Sequence, residues 1–310
     1  MKIIIIGNGF DLHHKYKTSF HDFKMHLKNS KKDKDRILIS KIDKLIEVDE
    51  NKPETQFLWN DFESIIGEIM ETNSYEKHTV NNIPSLVEEF TENFHNYLLY
   101  ISKSNVLEIN KKIAKEFENV STILTFNYTS FYSKYLLKNE IDIFHIHGNL
   151  TENYLPIIGY YYPKATKSTS NDYSIRFGGK LIHKAALSLK QNEIDLDERI
   201  NSYTSKWRSK ITEIVILGYS FGSSDSHIYK IINKIIIEQT QNINIPSSQT
   251  KQIKLIKFII YSYDNKESNL LIEKIKSNIA TFGRKFSVNV TGIGFATKEK
   301  DILTFELKEY

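Results

Sequence analysis

Cysteine is absent from the 310-residue chain, and proline and glycine are scarce, with 5 and 12 residues. The absence of cysteine excludes thiol catalysis, disulfide bonds and every zinc site built on cysteine ligands, and it is typical of a reducing compartment. The few prolines and glycines exclude a collagen-like chain or one dominated by flexible linkers. A chain of this length can bury a sizeable core without disulfides or metals. We therefore expect a globular protein.

Strong charge of one sign and long apolar runs are also lacking. The chain has 42 Lys and Arg residues and 38 Asp and Glu residues, which gives a net charge of +4. This balance does not indicate a nucleic-acid or membrane partner. No uninterrupted apolar run approaches the roughly 20 residues of a membrane span. The four isoleucines near the N-terminus are fewer than the roughly 7–15 apolar residues of a signal-peptide core. We therefore expect a cytoplasmic protein.

Short β-branched runs that stop at glycine, asparagine or histidine are the main structural signal. The predicted strands are Lys2 to Ile6, Thr122 to Phe126, Ile141 to Ile146, Ile214 to Leu217, Leu255 to Tyr261 and Ile302 to Leu307. Helical patterns lie between them at Phe131 to Leu137, Ser226 to Glu238 and Ser268 to Ile279. Buried strands that alternate with helices predict βαβ crossovers. We therefore expect an α/β fold with a parallel, Rossmann-like sheet and helices on both faces.

One gap between predicted strands is unusually long. From Gly7 to Ser121 no convincing strand occurs, although a crossover needs only a dozen or so residues. Apolar residues recur in this gap with a helical period, as in Leu86, Val87, Phe90, Phe94, Tyr97, Leu98 and Ile101. We therefore predict a helical module at residues 20–118, inserted into an α/β nucleotide-binding domain formed by residues 1–19 and 119–310.

Four of the predicted strands end in polar or glycine-containing motifs. These are Gly7 to Asp11, Thr125 to Thr129, His145 to Gly148 and Gly218 to Asp225. In open α/β sheets, ligands bind in the crevice outside the carboxyl ends of the strands. We therefore expect the four motifs to surround one binding crevice.

The first motif, Gly-Asn-Gly-Phe-Asp, places glycines where a backbone can approach a ligand closely. Backbone amides and a helix start at this position can hold phosphate oxygens. A tight strand-to-helix turn explains the same two glycines, and that alternative stays open. The third glycine and the ribose-binding acid of hydride-transfer Rossmann enzymes are missing, which disfavours that class.

Asn127, His145 and His147 follow the next two strands. The Asn127 amide can bind a ribose hydroxyl, a carboxamide or a water, or it can form an Asx turn or helix cap. The two histidines are two residues apart, which predicts that they face the same side of a strand. We favour His147 as a general base and His145 as a structural residue. Two core histidines, or a metal pair that needs further ligands, are the alternatives.

The last motif fits G-x-S-x-G at Gly218 to Gly222, the pattern of a hydrolase nucleophile elbow. A catalytic triad would need a later histidine, and only His227 follows, on the helix that the elbow itself begins. A phosphate- or ribose-binding turn that uses Gly218 and Ser220 explains the same residues without a triad. Asp225 then binds a ribose hydroxyl, or it supplies favourable charge near a helix N-terminus.

Taken in order, these motifs resemble the bacteriophage abortive infection AbiH family. The resemblance rests on Ile5 to Leu12, His14, Thr18 to Phe20, Trp59 with Glu63, Phe126 to Thr129, His145 to Gly148, and Gly218 to Gly222 with Asp225. Lys15 stands where a glycine is expected after the histidine. From the residues alone, Trp59 is expected to be a core anchor and Glu63 to favour a helix start, with a substrate contact as the alternative.

The same order of motifs is similar to the wider sirtuin-like group, in which a glycine turn, an asparagine and a His-Gly pair surround NAD. This resemblance implies that Gly7 and Gly9 hold the phosphates, that Asn127 orients the ribose or an attacking water, and that His147 is the base. The implied nucleotide-binding residues are Gly7, Asn8, Gly9, Phe10, Asp11, Thr125, Gly218, Ser220 and Asp225.

The absence of cysteine separates this chain from peptide-deacylating sirtuins, whose zinc module requires cysteines. The resemblance therefore implies an antiphage protein that cleaves NAD at the nicotinamide glycosidic bond without a metal. The expected partner is NAD or a related nucleotide, with a phage-derived trigger and self-association as open questions. A nucleotide-binding sensor without catalysis and a metal-dependent nuclease that uses His145 and His147 are the alternative functions.

Overall fold

The structure of the protein is a computed structural model. The described residues are 1–47, 55, 58–59, 62–63, 65, 83–103, 110–136, 141–150, 158, 211–219, 228, 232, 256–262, 269–270, 272–273, 275, 277, 288–291 and 303–309.

A seven-stranded sheet with only parallel neighbours forms the centre of the fold. Its strands are β1 (Lys2–Ile6), β2 (Val120–Thr125), β3 (Asp142–His145), β4 (Glu213–Leu217), β5 (Ile256–Ser262), β6 (Val288–Thr291) and β7 (Leu303–Glu309). Their order across the sheet is β3-β2-β1-β4-β5-β7-β6. The predicted α/β class with a parallel sheet is confirmed. β6 is an additional strand, which the sequence analysis missed because it has only four residues, Val-Asn-Val-Thr.

The carboxyl ends of four neighbouring strands lie level with one another. Ile6 pairs with both Thr125 and Leu217, and Thr125 pairs in turn with His145. From β1 the chain passes to β2 and β3 on one side and later to β4 on the other, so the direction of winding reverses between β1 and β4. Such a reversal is where parallel α/β sheets form their ligand crevice.

The described elements between β1 and β2 are helices. They are α1 (Asn8–His13), α2 (Phe20–Asn29), α3 (Asp33–Leu45), α4 (Ile83–Ser102) and α5 (Lys111–Phe117). A Ser19–Asp22 capping box starts α2, which satisfies backbone donors that the first turn leaves unpaired. Within the described part of the chain, none of the helices has the length and apolarity that crossing a membrane requires.

The segment after β2 differs from its prediction. A 3₁₀ helix at Phe131–Tyr135 replaces the α-helix predicted for Phe131 to Leu137, and Leu136 already has an extended backbone. Five residues are too few for a stable α-helix, whereas short 3₁₀ turns are common connectors.

Side chains cover both faces of the sheet, because alternate residues of a strand point to opposite sides. One face carries Ile3 and Ile5 and packs with the buried helical residues Ile228, Ile232, Ile272 and Ile275. The other face carries Ile4 and Ile6 and packs with Phe10, Ile113, Phe117, Tyr132 and Tyr135. Helices on both faces therefore agree with the predicted architecture.

A second core holds α2, α3 and α4 together. Its most deeply buried members include Phe23, Ile42, Leu45, Trp59, Phe62, Phe90, Phe94 and Leu98. Trp59 is fully buried, as expected for a core anchor, and its Nε1–H donates to Asp43 over 2.7 Å. α5 packs on the sheet instead, through Ile113 and Phe117. The module boundaries at residues 20 and 118 stay a prediction.

The end of α1 has the hydrogen bonds of a Schellman motif. Lys15 N–H donates to Leu12 O over 2.9 Å, and Tyr16 N–H donates to Asp11 O over 3.0 Å. Lys15 has a φ of 61°, the left-handed conformation that this position requires and that glycine adopts without strain. This conformation explains why the motif calls for glycine after His14.

We expect Lys15→Gly to stabilise the fold by about 1 kcal/mol, because it relieves the left-handed conformation of a residue that carries a Cβ. Denaturant unfolding measures the change. Lys17→Gly is the control, since Lys17 is also exposed and lacks a positive φ, and it should not stabilise the fold. Equal effects of the two substitutions would show that the left-handed backbone of Lys15 does not destabilise the fold.

Candidate functional site

Three glycines join the turn after β1 to the end of β4. Gly7 N–H donates to Leu217 O over 3.0 Å, and Gly9 N–H donates to Gly218 O over 2.8 Å. A Cβ on Gly7 would lie 2.6 Å from Gly218 O, and a Cβ on Gly218 would lie 2.1 Å from Phe10 N. Gly218 also has a φ of 58°. Only glycine therefore permits this backbone contact.

This contact bears on the phosphate-binding role expected for Gly7 and Gly9. Both amide groups donate to the backbone at the end of β4, so the tight-turn alternative accounts for both glycines. Their contribution to nucleotide binding, and that of Gly218, stays a prediction.

The other expected nucleotide-binding residues near this turn have different surroundings. Asn8 is exposed, and its Oδ1 accepts a hydrogen bond from Thr18 Oγ1 over 2.6 Å. The Phe10 side chain lies in the sheet core at 1% exposure, so its ring packs among protein side chains. Thr125 is fully buried, and its Oγ1 accepts a hydrogen bond from Asn127 N–H over 3.1 Å. Thr125 therefore shapes the turn that carries Asn127.

Asp11 lies inside the protein beneath this turn. Its side chain is 1% exposed, and its Oδ2 accepts a hydrogen bond from the hydroxyl of Thr129, which follows β2. The other oxygen, Oδ1, has no partner among the described residues. Burial raises the pKa of the Asp11 carboxyl from 3.8 to about 7, and the side chains of Thr129 and Asn127 oppose that rise. A neutral or ionised Asp11 is therefore accessible near neutral pH.

Asn127 is the least satisfied polar side chain of this edge. It is 2% exposed, and neither its Nδ2 nor its Oδ1 has a hydrogen-bond partner among the described residues. A buried amide without partners is unfavourable by about 1–3 kcal/mol, and such groups are rare in native proteins. The Asx-turn alternative does not describe this side chain, because the described turn uses the Asn127 backbone and the Thr125 hydroxyl.

The two histidines of the third motif do not share one environment. β3 ends at His145, so the two histidines do not both lie on a strand, and strand alternation does not determine which side His147 faces. His145 hydrogen-bonds Tyr132 through Nε2 over 2.8 Å, and burial lowers its pKa from 6.5 to about 4. This contact supports a structural role for His145.

His147 lies in the turn that precedes Gly148. It is 5% exposed, and its ring lies 5.7 Å from that of Phe126 and 5.6 Å from that of Tyr128. Asn127 and His147 thus each lie two residues beyond the paired residues Thr125 and His145. The structure places both at the same carboxyl edge, but in buried positions.

The sequence analysis missed two residues of this edge. Thr129 binds Asp11, as described above, and the Tyr128 hydroxyl donates to Glu63 Oε1 over 2.9 Å. Tyr128 also contacts Phe94 edge-on. The Tyr128 ring, which lies beside His147, therefore packs against the core formed by the helices. Both residues belong to the second motif, but their hydrogen-bond partners are distant in the sequence and are identified only by the structure.

His14 has a structural role. A carbonyl oxygen can only accept, so His14 Nδ1–H donates to Phe10 O over 2.7 Å, and Nε2 of the neutral ring accepts from the Tyr135 hydroxyl. Burial lowers the pKa of His14, which favours that neutral form. The Tyr135 oxygen accepts from Asn110 N–H over 3.0 Å. His14 thereby joins α1 to the 3₁₀ helix.

The remaining predictions fall outside the described residues. Ser220 and Asp225 lie there, and so does His227 of the rejected triad. Within the described residues, no group of three histidine and carboxylate side chains is arranged to hold a metal ion.

Comparison with known families identifies the family that the motifs resemble. A family model described as "Bacteriophage abortive infection AbiH" matches residues 3–247. The match spans the glycine turn, Asn127, His147 and Gly218. No curated protein matches the sequence.

The titration of Asp11 gives a prediction about stability. The folded-state pKa of Asp11 is about 7, above its unfolded value of about 3.9. The carboxyl therefore contributes fully to the free energy of unfolding below pH 4, and this contribution is lost as the pH rises through 7. Asp11→Asn should therefore gain stability relative to the native protein by at most about 1.4 kcal/mol per pH unit across this range. Denaturant unfolding at several pH values measures it.

Asp33→Asn is the control for that measurement, because it removes an exposed carboxylate. If Asp11→Asn and Asp33→Asn have the same stability profile between pH 4 and 8, the assignment to Asp11 is wrong.

Proposed function

The chain belongs to the AbiH family of bacteriophage abortive infection proteins, and from that premise we propose that it cleaves NAD at the nicotinamide glycosidic bond in the bacterial cytoplasm. The observation that carries this proposal is the Asn127 amide, which is buried, unpaired among the described residues and located at the carboxyl edge of the sheet. A polar group kept in so unfavourable a state is typical of a site whose partner is a ligand.

The chemistry of the bond suits the residues at this edge. Cleavage breaks the bond between the ribose C1′ and the nicotinamide nitrogen, and the bonding electrons neutralise the positive charge of the pyridinium ring. The ribose passes through an oxocarbenium-like state, and the leaving group needs no proton. Water then adds to C1′ and loses a proton to a base.

Two side chains have roles in that scheme. The Asn127 amide can donate to and accept from a ribose hydroxyl or the attacking water, which fixes the geometry of attack. The imidazole of His147 takes the proton of the water as general base, the role that histidine has most often in proton transfer. The pyrophosphate would lie along the turn at Gly7 to Gly9.

The buried state of both side chains bears on when the reaction occurs. Both Asn127 amide atoms are almost completely inaccessible to solvent, and His147 is 5% exposed. A nucleotide reaches them only after the surrounding side chains move. We propose that the described conformation is the resting state and that a phage-derived trigger or self-association opens it.

A nucleotide-binding sensor without catalysis is the second candidate. It is favoured by the packing of His147 beside the rings of Phe126 and Tyr128. In that function His147 is a structural residue. Binding of NAD or ADP-ribose without turnover distinguishes the sensor from the enzyme.

Variants of Asn127 separate a functional residue from a structural one. Asn127→Ala should change the free energy of unfolding by less than about 1 kcal/mol, because the packing lost around a buried side chain offsets the relief of its unpaired amide. It should lower NAD turnover by about 10²–10⁴ through the loss of substrate positioning. Thermal melting and chromatography of nicotinamide and ADP-ribose, linear or cyclic, provide the two measurements.

His147→Gln should also lose turnover by about 10²–10⁴, while its similar volume keeps the melting temperature within a few degrees. His145→Ala is the matched control: it should lower the melting temperature through loss of the Tyr132 contact and keep NAD cleavage in the folded protein. An inactive, folded His145→Ala together with an active His147→Gln would reverse the assignment of the two histidines. Full activity of Asn127→Ala would show that the active site does not depend on Asn127 and that the proposed site is wrong.

A further inference from the structure

Asp11, Asn127 and Thr129 form a buried polar cluster between α1 and the segment after β2. All three are at most 2% exposed. Thr129 satisfies one carboxylate oxygen of Asp11. The other oxygen of Asp11 and both amide atoms of Asn127 lack partners among the described residues.

The unpaired atoms are chemically complementary. An ionised carboxylate oxygen can only accept hydrogen bonds, whereas the amide of asparagine has an NH₂ group that only donates and an oxygen that only accepts. The Asn127 side chain lies close enough to favour the ionised form of Asp11. The terminal side-chain torsion of asparagine has a broad, roughly two-fold energy profile, so the Asn127 amide can turn either its Nδ2–H or its Oδ1 toward Asp11, and the first orientation suits the ionised carboxylate.

We propose that Asp11 is a positioning residue that sets which atom of the Asn127 amide faces the reacting ribose. Ionised Asp11 accepts from Asn127 Nδ2–H and leaves Oδ1 as an acceptor for a ribose hydroxyl or the attacking water. Protonated Asp11 donates its own hydrogen to Asn127 Oδ1, so the amide turns over and presents Nδ2–H instead. This inference rests on the proposed function, because it supplies the acceptor that the Asn127 role requires.

The groups that act on Asp11 make the orientation adjustable near neutral pH. Burial raises its pKa to about 7, while Thr129 and Asn127, both from the segment after β2, lower it. On its own helix the titratable neighbours are His13 and His14, and burial lowers the pKa of both. The Thr129 hydroxyl is therefore the group whose removal shifts the ionisation of Asp11 to higher pH.

The test compares the native protein with Thr129→Val and Thr129→Ser. The first measurement is NMR of selectively labelled protein, in which the Asp11 carboxyl carbon and the Asn127 side-chain amide are followed between pH 5 and 9. Both signals should change with one midpoint. Thr129→Val should move that midpoint upward by about one pH unit, because it removes the hydroxyl donor, whereas Thr129→Ser should keep the native midpoint.

The second measurement is the pH profile of kcat/KM for NAD. It should rise with pH through the same midpoint and move with it in Thr129→Val. An Asn127 signal that does not change while Asp11 titrates overturns the inference, and so does an inflection in kcat/KM that stays in place in Thr129→Val. A shared NMR midpoint in a protein that never cleaves NAD overturns the proposed function but keeps the Asp11–Asn127 coupling.

If Thr129→Val does not fold, Asp11→Asn replaces it. The Asn127 amide signal should then lose its pH dependence between pH 5 and 9, because residue 11 no longer ionises. Persistence of the native titration of Asn127 in Asp11→Asn overturns the inference.

Discussion

The backbone contact between the turn after β1 and the end of β4 is the constraint on which the carboxyl edge depends. Gly9 N–H binds Gly218 O over 2.8 Å, and no side chain fits where a Cβ of Gly218 would lie 2.1 Å from Phe10 N. This contact fixes the start of α1 against the sheet. Because α1 is held there, Asp11 reaches Thr129 and the vicinity of Asn127 across the end of β2. The glycines thus organise the site through backbone contacts within the chain, in addition to any role in ligand binding.

The polar cluster built on this contact is unfavourable for stability, and in our proposal it takes part in the reaction. Burial raises the pKa of Asp11 to about 7, and the Asn127 amide lacks partners among the described residues. The fold tolerates these groups because the sheet and its two faces supply a large apolar core. A protein that consumes the NAD of its own host must be inactive before infection. A closed, buried site agrees with that requirement in our proposal.

The sequence predicts the sheet well, because β-branched runs bounded by Gly, Asn or His are a local signal. It also predicts that Asn127 and His147 occur at one edge, since parallel strands end together. The contacts that define the site are not local: Gly9 meets Gly218, Asp11 meets Thr129, and Tyr128 meets Glu63. Periodicity in the sequence does not predict such pairs. It also does not predict the position of His147, which lies beyond the end of β3 at His145.

NAD content in bacteria that carry this protein tests the central claim most directly. Cells are sampled before and after infection by a phage against which the protein protects, and nucleotides are separated by chromatography. Our account predicts that NAD falls after infection with the appearance of nicotinamide and ADP-ribose or its cyclic form, and that it stays at the uninfected value when Asn127→Ala replaces the native chain. Protection with unchanged NAD would contradict the account.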